Sequence, residues 1–223
     1  MAIAIELDWA RDPKGYRLVE AGQPKILRIV RKGTGHGPKH LVPCYPLNST
    51  DLLFKIFAHV ATTPEGALDF VNRFGPLTPE GWDRGGDQVS LVTFHAEYMR
   101  EILRARAGKN KKPRIAFRSQ RSGPGRPLVV DAHDTGPSVS LNAKLVWDPV
   151  TKALNWKFHP TTLLDALWLQ LGQALTAGTQ IRQCEHCGDW FEAGRGTERR
   201  LDAKFCSDEH RIAFNSLKRS REI

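Results

Sequence analysis

Short stretches in which apolar and polar residues alternate fill the first 45 positions of the chain and predict β-strands. Alternation covers residues 3–9, and strand-like segments follow at 16–20 and 25–31. The tetrapeptide Asp12-Pro13-Lys14-Gly15 separates the first two segments, because aspartate, proline and glycine favour turns. The N-terminal part of the chain is therefore expected to consist of short strands joined by turns.

Apolar residues recur at helical spacing from about residue 50 onwards. They lie three and four positions apart over 52–60, which predicts a first helix. Thr63-Pro64-Glu65 starts a second helix that Gly75 ends, since proline suits the first helical position and glycine the position after the last. A third and longer helix is predicted over 89–107.

Strands return after a break at 108–127 that is rich in glycine, proline and positive charge. Thr162 and Asp165 have the spacing of a capping box and start a further helix with a wide apolar stripe. The pattern predicts an α+β fold with a mixed body at 1–179, in which 108–127 is an exposed basic loop. The strands of this half are predicted at 128–131, 139–147 and 153–159, with the last two forming a hairpin.

The length and composition exclude several classes of protein. With 223 residues, 40% hydrophobic and 26% charged, the chain resembles an ordinary soluble protein of one or two domains. No apolar run approaches the about 20 residues that a membrane-spanning helix needs, and the N-terminus lacks the basic segment of a signal peptide. Four cysteines are too few for a disulfide scaffold, so we expect reduced thiols and a cytoplasmic location.

The net charge of +9 is concentrated in one stretch of the chain. Residues 100–127 hold ten Lys and Arg against one acidic residue. A localised basic field of this kind attracts phosphate backbones or anionic lipid headgroups. A solvated helix end followed by a mobile loop has the same composition. Both interpretations stay open at this point.

The cysteines and histidine near the C-terminus have the spacing of a metal site. Cys184 and Cys187 form a Cys-x2-Cys turn, and Cys206 and His210 follow after eighteen residues as Cys-x3-His. If a helix starts at 207–209, Cys206 and His210 share one of its faces. Three thiolates and one imidazole then complete a tetrahedron, which predicts one zinc ion in a module at 180–223.

Other interpretations of the same residues explain less of the pattern. A redox-active Cys-x2-Cys pair leaves Cys206 and His210 without a role, and a disulfide conflicts with a reducing compartment. His186 lies inside the turn and is the alternative fourth ligand. Four protein ligands leave no open position for water, so the zinc is expected to be structural. Because no Ser/His/Asp set or carboxylate cluster stands out elsewhere in the sequence, the protein is not expected to be an enzyme, and a nuclease or other hydrolase is the alternative.

The cysteine module resembles the treble-clef zinc fingers at the C-termini of bacterial CGNR-type proteins. The residues that carry the resemblance are Cys184-x2-Cys187-Gly-x-Trp190-Phe191, a Gly/Arg hairpin at 194–200, and Phe205-Cys206-Ser207-x2-His210-Arg211. His210 stands where the family has its last cysteine, and the Cys-Gly-Asn-Arg sequence itself is absent. In that family the finger often follows a mixed domain called ABATE. The resemblance implies a treble-clef fold and a role in DNA binding and transcription control.

Our first functional hypothesis is a zinc-dependent nucleic-acid-binding protein, DNA being preferred to RNA, that acts as a bacterial transcriptional regulator. The alternative is a protein-interaction or adaptor protein with a purely structural zinc site. The candidate phosphate-binding residues are Arg104, Arg106, Lys109, Lys111, Lys112, Arg114, Arg195, Arg199, Arg200, Arg211, Lys218 and Arg219.

Overall fold

The structure is a computed structural model that describes residues 4–33, 40–48, 52–82, 85–107, 114–117, 128–131, 139–149, 152–176, 180–194 and 197–221. Within these ranges helices and mainly antiparallel sheets occur together, so the predicted α+β class is confirmed. The helices are α1 (Leu53–Val60), α2 (Pro64–Phe74), α3 (Val89–Ala107), α4 (Leu163–Thr176) and α5 (Asp208–Arg221). In the described parts of the chain, none of them has both the length and the hydropathy to span a membrane.

The strands are short and belong to several small sheets. They are β1 (Ala4–Ile5), β2 (Trp9–Arg11), β3 (Tyr16–Ala21), β4 (Ile26–Arg31), β5 (Val42–Cys44), β6 (Asp87–Gln88), β7 (Arg114–Phe117), β8 (Leu128–Asp131), β9 (Leu141–Asp148), β10 (Ala153–Pro160), β11 (Gln180–Gln183) and β12 (Trp190–Ala193).

The chain divides into two compact units, and each is built from two stretches of sequence. Unit 1 comprises Met1–Glu97 and Ser138–Ala174, and unit 2 comprises Tyr98–Pro137 and Leu175–Ile223. Two of the three boundaries between these stretches fall within helices, one in α3 and one in α4. The predicted module at 180–223 therefore lies wholly within unit 2, together with β7 and β8.

Unit 1 contains three of the sheets. Antiparallel β3 and β4 pair from Tyr16 opposite Arg31 to Ala21 opposite Ile26, and β6 adds to β4. Strands β2 and β5 form a second antiparallel pair. In the third sheet, β10 lies between antiparallel β9 and parallel β1. The predicted hairpin at 139–147 and 153–159 is thereby confirmed.

The turn predicted at 12–15 is confirmed and joins β2 to β3. Gly15 adopts a φ of 76°, which glycine tolerates better than other residues, and its N–H donates to the Asp12 carbonyl over 2.9 Å. The Asp12 carboxylate accepts from the backbone N–H of Lys14 over 2.9 Å. The turn therefore holds a carboxylate in the interior of unit 1, where it is 3% exposed.

Helices α1 and α2 pack through aromatic side chains in the core of unit 1. The Phe57 and Phe70 rings meet edge to face with centroids 4.9 Å apart, and both residues are fully buried. The predicted cap of α2 is confirmed, since Thr63 Oγ1 accepts from the Gly66 N–H over 3.1 Å and Gly75 follows the last turn at a φ of 90°.

The start of α4 also follows the sequence prediction. Thr162 Oγ1 accepts from the Asp165 N–H over 3.0 Å, and its hydroxyl donates to the Asp165 carboxylate over 2.6 Å. The same carboxylate accepts from the Ser140 N–H over 3.0 Å, so the cap ties the helix to the residue that precedes β9.

Candidate metal centre

The Cys-x2-Cys turn lies at the end of a two-stranded antiparallel hairpin in unit 2. Strands β11 and β12 pair from Gln180 opposite Ala193 to Gln183 opposite Trp190. The Cys184 N–H donates to the Asp189 carbonyl over 2.9 Å, and the Gly188 N–H donates to the Cys184 carbonyl over 3.0 Å. Gly188 has a φ of 78°, which allows this tight turn. Both thiols are thereby held at one end of the hairpin.

The other two donors lie at the start of α5, as predicted. The Ser207 hydroxyl accepts from the His210 N–H over 3.2 Å, and the Ser207 carbonyl accepts from the Arg211 N–H over 3.2 Å. Ser207 therefore caps the helix. Cys206 directly precedes this cap and His210 lies in the first turn, so both side chains point to the same end of α5.

The four donor atoms converge. Cys187 Sγ lies 3.8 Å from Cys206 Sγ, and His210 Nδ1 lies 2.9 Å from Cys206 Sγ and 3.9 Å from Cys184 Sγ. All four donor atoms lie within 4.8 Å of one another. In a tetrahedral site with bonds of about 2.3 Å to sulfur, two sulfurs are about 3.8 Å apart. The geometry of the cluster therefore suits one metal ion.

The donor chemistry indicates what kind of ion fits. Three cysteines with one histidine are a donor set found in structural zinc sites. Cys184, Cys187, Cys206 and Nδ1 of His210 would hold the ion and join the hairpin to the helix. Of these residues, Cys184 is buried and the other three are half-buried.

The surroundings of Cys184 and Cys187 shift the pKa values of their thiols in opposite directions. Burial disfavours the Cys184 thiolate, but backbone N–H groups of Cys187, Cys206 and His186 outweigh it and lower the pKa of Cys184 to about 6. Burial, together with hydrogen bonding to Cys184, raises the pKa of Cys187 to about 12. One thiolate is thus stabilised by the fold, and a bound cation would favour ionisation of the others.

A small apolar core includes the cysteines: Phe191 and Ala193 are buried with Cys184, and Phe205 packs against them. Trp190 and Phe191 of β12 are buried, and the Phe205 and Phe214 rings lie 5.2 Å apart. His186, the alternative fourth ligand, is absent from the group of four donors. Its ring instead stacks at a tilt on the His210 ring with centroids 4.9 Å apart.

The Gly/Arg hairpin predicted at 194–200 is not formed by paired strands in the described residues. The Gly194 N–H donates to the Arg199 carbonyl over 2.8 Å, and the Thr197 hydroxyl donates to the Gly194 carbonyl over 2.8 Å. These bonds close a loop instead, and the described residues 197–207 contain no strand. The order of hairpin, loop and helix agrees with a zinc finger, whereas the treble-clef assignment stays a prediction.

Several arginines proposed as phosphate contacts lie beside carboxylates. Arg199 and Arg211 each lie 3.5 Å from Asp208, and Arg200 lies 3.3 Å from Asp202. These residues line a cleft of about 480 Å³ next to the start of α5. Because cations and carboxylates alternate around it, the cleft offers little net field for an anion. The sequence reasoning missed Asp208 as the partner shared by Arg199 and Arg211.

The remaining basic candidates lie at helix ends, on β7, or outside the described residues. Arg104 and Arg106 occupy the last turn of α3, where Arg104 pairs with Glu101 over 2.7 Å and Arg106 is exposed. Lys218 and Arg219 are exposed near the end of α5. Arg114 begins β7. Lys109, Lys111, Lys112 and Arg195 lie outside the described residues.

The net positive charge of the chain belongs almost entirely to one of the two units. Unit 2 holds nineteen Lys and Arg against eleven Asp and Glu, and unit 1 holds fourteen against thirteen. Unit 2 therefore carries +8 of the net +9. The stretch that contains the metal donors belongs to the same unit as the basic stretch.

The chain matches no known protein-family model. No curated protein sequence and no solved structure matches it either. The resemblance to the CGNR-type fingers thus rests on the residues quoted for it.

Proposed function

We propose that this protein binds one structural zinc ion and that its second unit binds nucleic acid through the phosphate backbone. The convergence of Cys184, Cys187, Cys206 and His210 carries the first part of the proposal. The concentration of +8 in the unit with those ligands supports the second part.

The zinc ion has a folding role in this proposal. Residues 180–221 contain only a two-stranded hairpin and one helix in their described part, which is too little structure to hold a core alone. The ion would fix the hairpin end to the first turn of α5. With four protein ligands it has no open position, so the proposal assigns it no catalytic step.

The basic stretch at 100–127 supplies most of the phosphate contacts in this proposal. Arg199, Arg200 and Arg211 contribute less because carboxylates within 3.5 Å already compensate them. Binding that depends on lysines and arginines of this kind releases counterions and weakens steeply with salt. A regulatory role in transcription, implied by the resemblance to the CGNR-type proteins, belongs to the same proposal.

Protein interaction is the second candidate function, and one observation favours it. The hairpin of β9 and β10 in unit 1 exposes two tryptophans and two leucines, namely Trp147, Trp156, Leu145 and Leu154. Exposed apolar patches on soluble proteins commonly mark sites of association.

The proposal is tested by titrating the zinc-loaded protein against labelled random duplex DNA and single-stranded RNA across a salt series. Fluorescence anisotropy reports binding, and the slope of log affinity against log salt gives the number of phosphates that the protein neutralises. We expect micromolar or tighter binding at low salt that weakens as salt rises. Absence of binding at low salt would refute the nucleic-acid part and favour the interaction role.

A matched pair of variants locates the phosphate-binding residues. The test variant replaces Lys109, Lys111 and Lys112 with serine, and the control replaces the exposed Lys14, Lys25 and Lys144 of unit 1. Both remove the same charge from the chain. The test variant should reduce the salt slope by about one for each phosphate that is no longer neutralised, whereas the control should leave it near the wild-type value. Equal reductions in both would indicate attraction by net charge alone.

A further inference from the structure

An apolar patch covers one face of the β9–β10 hairpin. Trp147 lies opposite Leu154 in the register of the two strands, and Leu145 lies opposite Trp156. Residues that are opposite each other in an antiparallel pair share a face, as do residues two apart along a strand. The four side chains are 56%, 59%, 50% and 57% exposed in the order named.

The two faces of this sheet differ in polarity. The face opposite the patch is polar and includes Lys144 and Lys157, and the Lys157 ammonium lies 2.6 Å from the Glu6 carboxylate. The patch continues across the sheet through Phe158 and its parallel neighbour Ile5, both half-buried. An exposed apolar face of this size, beside a polar face that makes ion pairs, is a typical site of association.

The arrangement of the patch is self-complementary. Leu-x-Trp occurs on both strands, and the strands run in opposite directions. Each tryptophan therefore has a leucine beside it along its own strand and a leucine opposite it on the other strand. Consider a second copy placed face to face by a two-fold axis that lies in the plane between the sheets. Each tryptophan of one copy then lies over a leucine of the other. This holds whether the two-fold axis runs parallel to the strands or perpendicular to them. Such isologous contacts are the rule in protein dimers.

The exposed area is sufficient for a weak dimer. At these exposures the four side chains present about 500 Å² of apolar surface, within the about 300–600 Å² of the largest patch on a typical monomer. Complete burial of these side chains in both copies would remove about 1,000 Å² from solvent, which is the lower limit for a specific interface.

We propose that the protein forms a symmetric homodimer in which the Leu145, Trp147, Leu154 and Trp156 patches of two copies pack face to face. A nucleic acid is a poorer occupant, because the described residues of β1, β9 and β10 on the face of the patch include no cation to meet a phosphate. The tryptophans supply the central contacts, as large aromatic residues do in most interfaces.

Sedimentation of the zinc-loaded full chain over a concentration series tests this proposal. The wild type should change from the 25.0 kDa monomer to twice that mass with a micromolar dissociation constant. Trp147→Lys and Trp156→Lys should each weaken association about thirtyfold or more, as expected when a central aromatic side chain is removed. The control is Tyr45→Lys, since Tyr45 is an aromatic residue of unit 1 that is 63% exposed and belongs to no strand of this sheet.

Two readouts keep the test valid if a lysine variant fails to fold. The milder Leu154→Thr retains strand propensity and should also weaken the dimer. In the wild type, the tryptophan emission should shift to shorter wavelength over the same concentrations at which the mass doubles, because Trp147 and Trp156 become buried. A wild type that stays monomeric at the highest soluble concentration overturns the proposal. The proposal is also overturned if the Trp147→Lys and Leu154→Thr variants dimerise with the same dissociation constant as the Tyr45→Lys control.

Discussion

The Nε of Arg31 donates to the Asp12 carboxylate over 2.8 Å, and the two side chains are only 7% and 2% exposed. The pair joins the turn before β3 to the end of β4. The same carboxylate oxygen accepts from the Gly33 N–H over 3.2 Å, and the second guanidinium donor, Nη1, reaches the Trp82 carbonyl over 3.0 Å. A buried ion pair with this many partners holds several segments of unit 1 in register.

Asp12→Asn should therefore destabilise the protein strongly. Removing the carboxylate charge leaves the Arg31 guanidinium buried without its counterion, at a cost of about 3 kcal/mol or more in the free energy of unfolding. Urea denaturation at neutral pH measures this loss. Asp8→Asn is the control, because Asp8 is exposed and should change stability by about 0.5 kcal/mol or less. Equal effects of the two substitutions would contradict the role given to the pair.

The same ion pair predicts how stability changes at acid pH. Burial opposes ionisation of Asp12, but hydrogen bonds from Arg31 and from backbone N–H groups hold its pKa below the ordinary value of 3.8. The stabilisation is thus complete above pH 3.8 and is lost as the pH falls through the lower pKa of the folded state. Asp12→Asn should lack this component, so its stability should converge with that of the wild type at low pH.

His95 predicts a second dependence on pH. Burial lowers the pKa of His95 from 6.5 to about 4, and its Nδ1 accepts from Trp168 Nε1–H over 3.3 Å, so the folded state holds the neutral ring. Between pH 6.5 and about 4 the unfolded chain takes up a proton that the folded chain does not. Stability should therefore fall as the pH falls through this window and level off below it.

His95→Gln isolates that contribution, since glutamine can accept from Trp168 but does not titrate. The difference in unfolding free energy between wild type and variant should change by roughly 2–3 kcal/mol between pH 7 and pH 4. Proton uptake common to both proteins cancels in this difference. A difference that is constant with pH would show that His95 titrates alike in the folded and unfolded states.

Cys206→Ser should release zinc and unfold the module at 180–223. Serine is a poor zinc ligand, and three remaining donors cannot close the site. Elemental analysis should give one zinc per chain in the wild type and much less in the variant. Limited proteolysis should then cut within 180–223 first.

Two further variants control the zinc experiment. His210→Cys replaces the imidazole with a fourth thiolate, so it should retain the metal. Cys44→Ser removes a thiol outside the cluster, whose Sγ lies 3.4 Å from the Phe74 carbonyl and whose pKa burial raises to about 11. Stoichiometric zinc in Cys206→Ser, or its loss in Cys44→Ser, would show that the ligand set is wrong.

A pair of glycines gives opposite predictions for the same substitution. Gly86 has a φ of 61°, and a Cβ there would collide with the Ile29 carbonyl of β4, so Gly86→Ala should cost about 2 kcal/mol or more. Gly172 lies inside α4 with open space at its Cβ position, so Gly172→Ala should stabilise by about 0.5–1 kcal/mol. Thermal unfolding of both variants checks the sign. A neutral Gly86→Ala would refute the close approach to Ile29.

Features that depend on neighbours in sequence were predictable. The caps at Thr63 and Thr162 and the start of α5 at Ser207 follow from interactions within four residues, and the structure has all three. The converging metal donors were predictable for the same reason, since each pair is separated by a single turn. Only the distance between the pairs depends on the fold.

Features that depend on distant contacts were missed. The parallel pairing of Ile5 with Phe158 joins residues far apart in the chain, and neither segment carries a local pattern that identifies its partner. The ion pairs of Asp208 likewise depend on how the loop at 197–205 returns to α5. The strands β11 and β12 flank the Cys-x2-Cys turn. The resemblance placed a hairpin at 194–200 instead, where the described residues form a loop.

The division into units also affects how recombination between genes could transfer parts of this protein. The metal donors lie in Leu175–Ile223, but Tyr98–Pro137 of the same unit precedes Ser138–Ala174, which belongs to the other unit. A single recombination event that moved only the coding sequence of Leu175–Ile223 into another gene would deliver the ligands without β7 and β8. We therefore expect the two units to descend together as one evolutionary block, and homologues to contain both of them or neither.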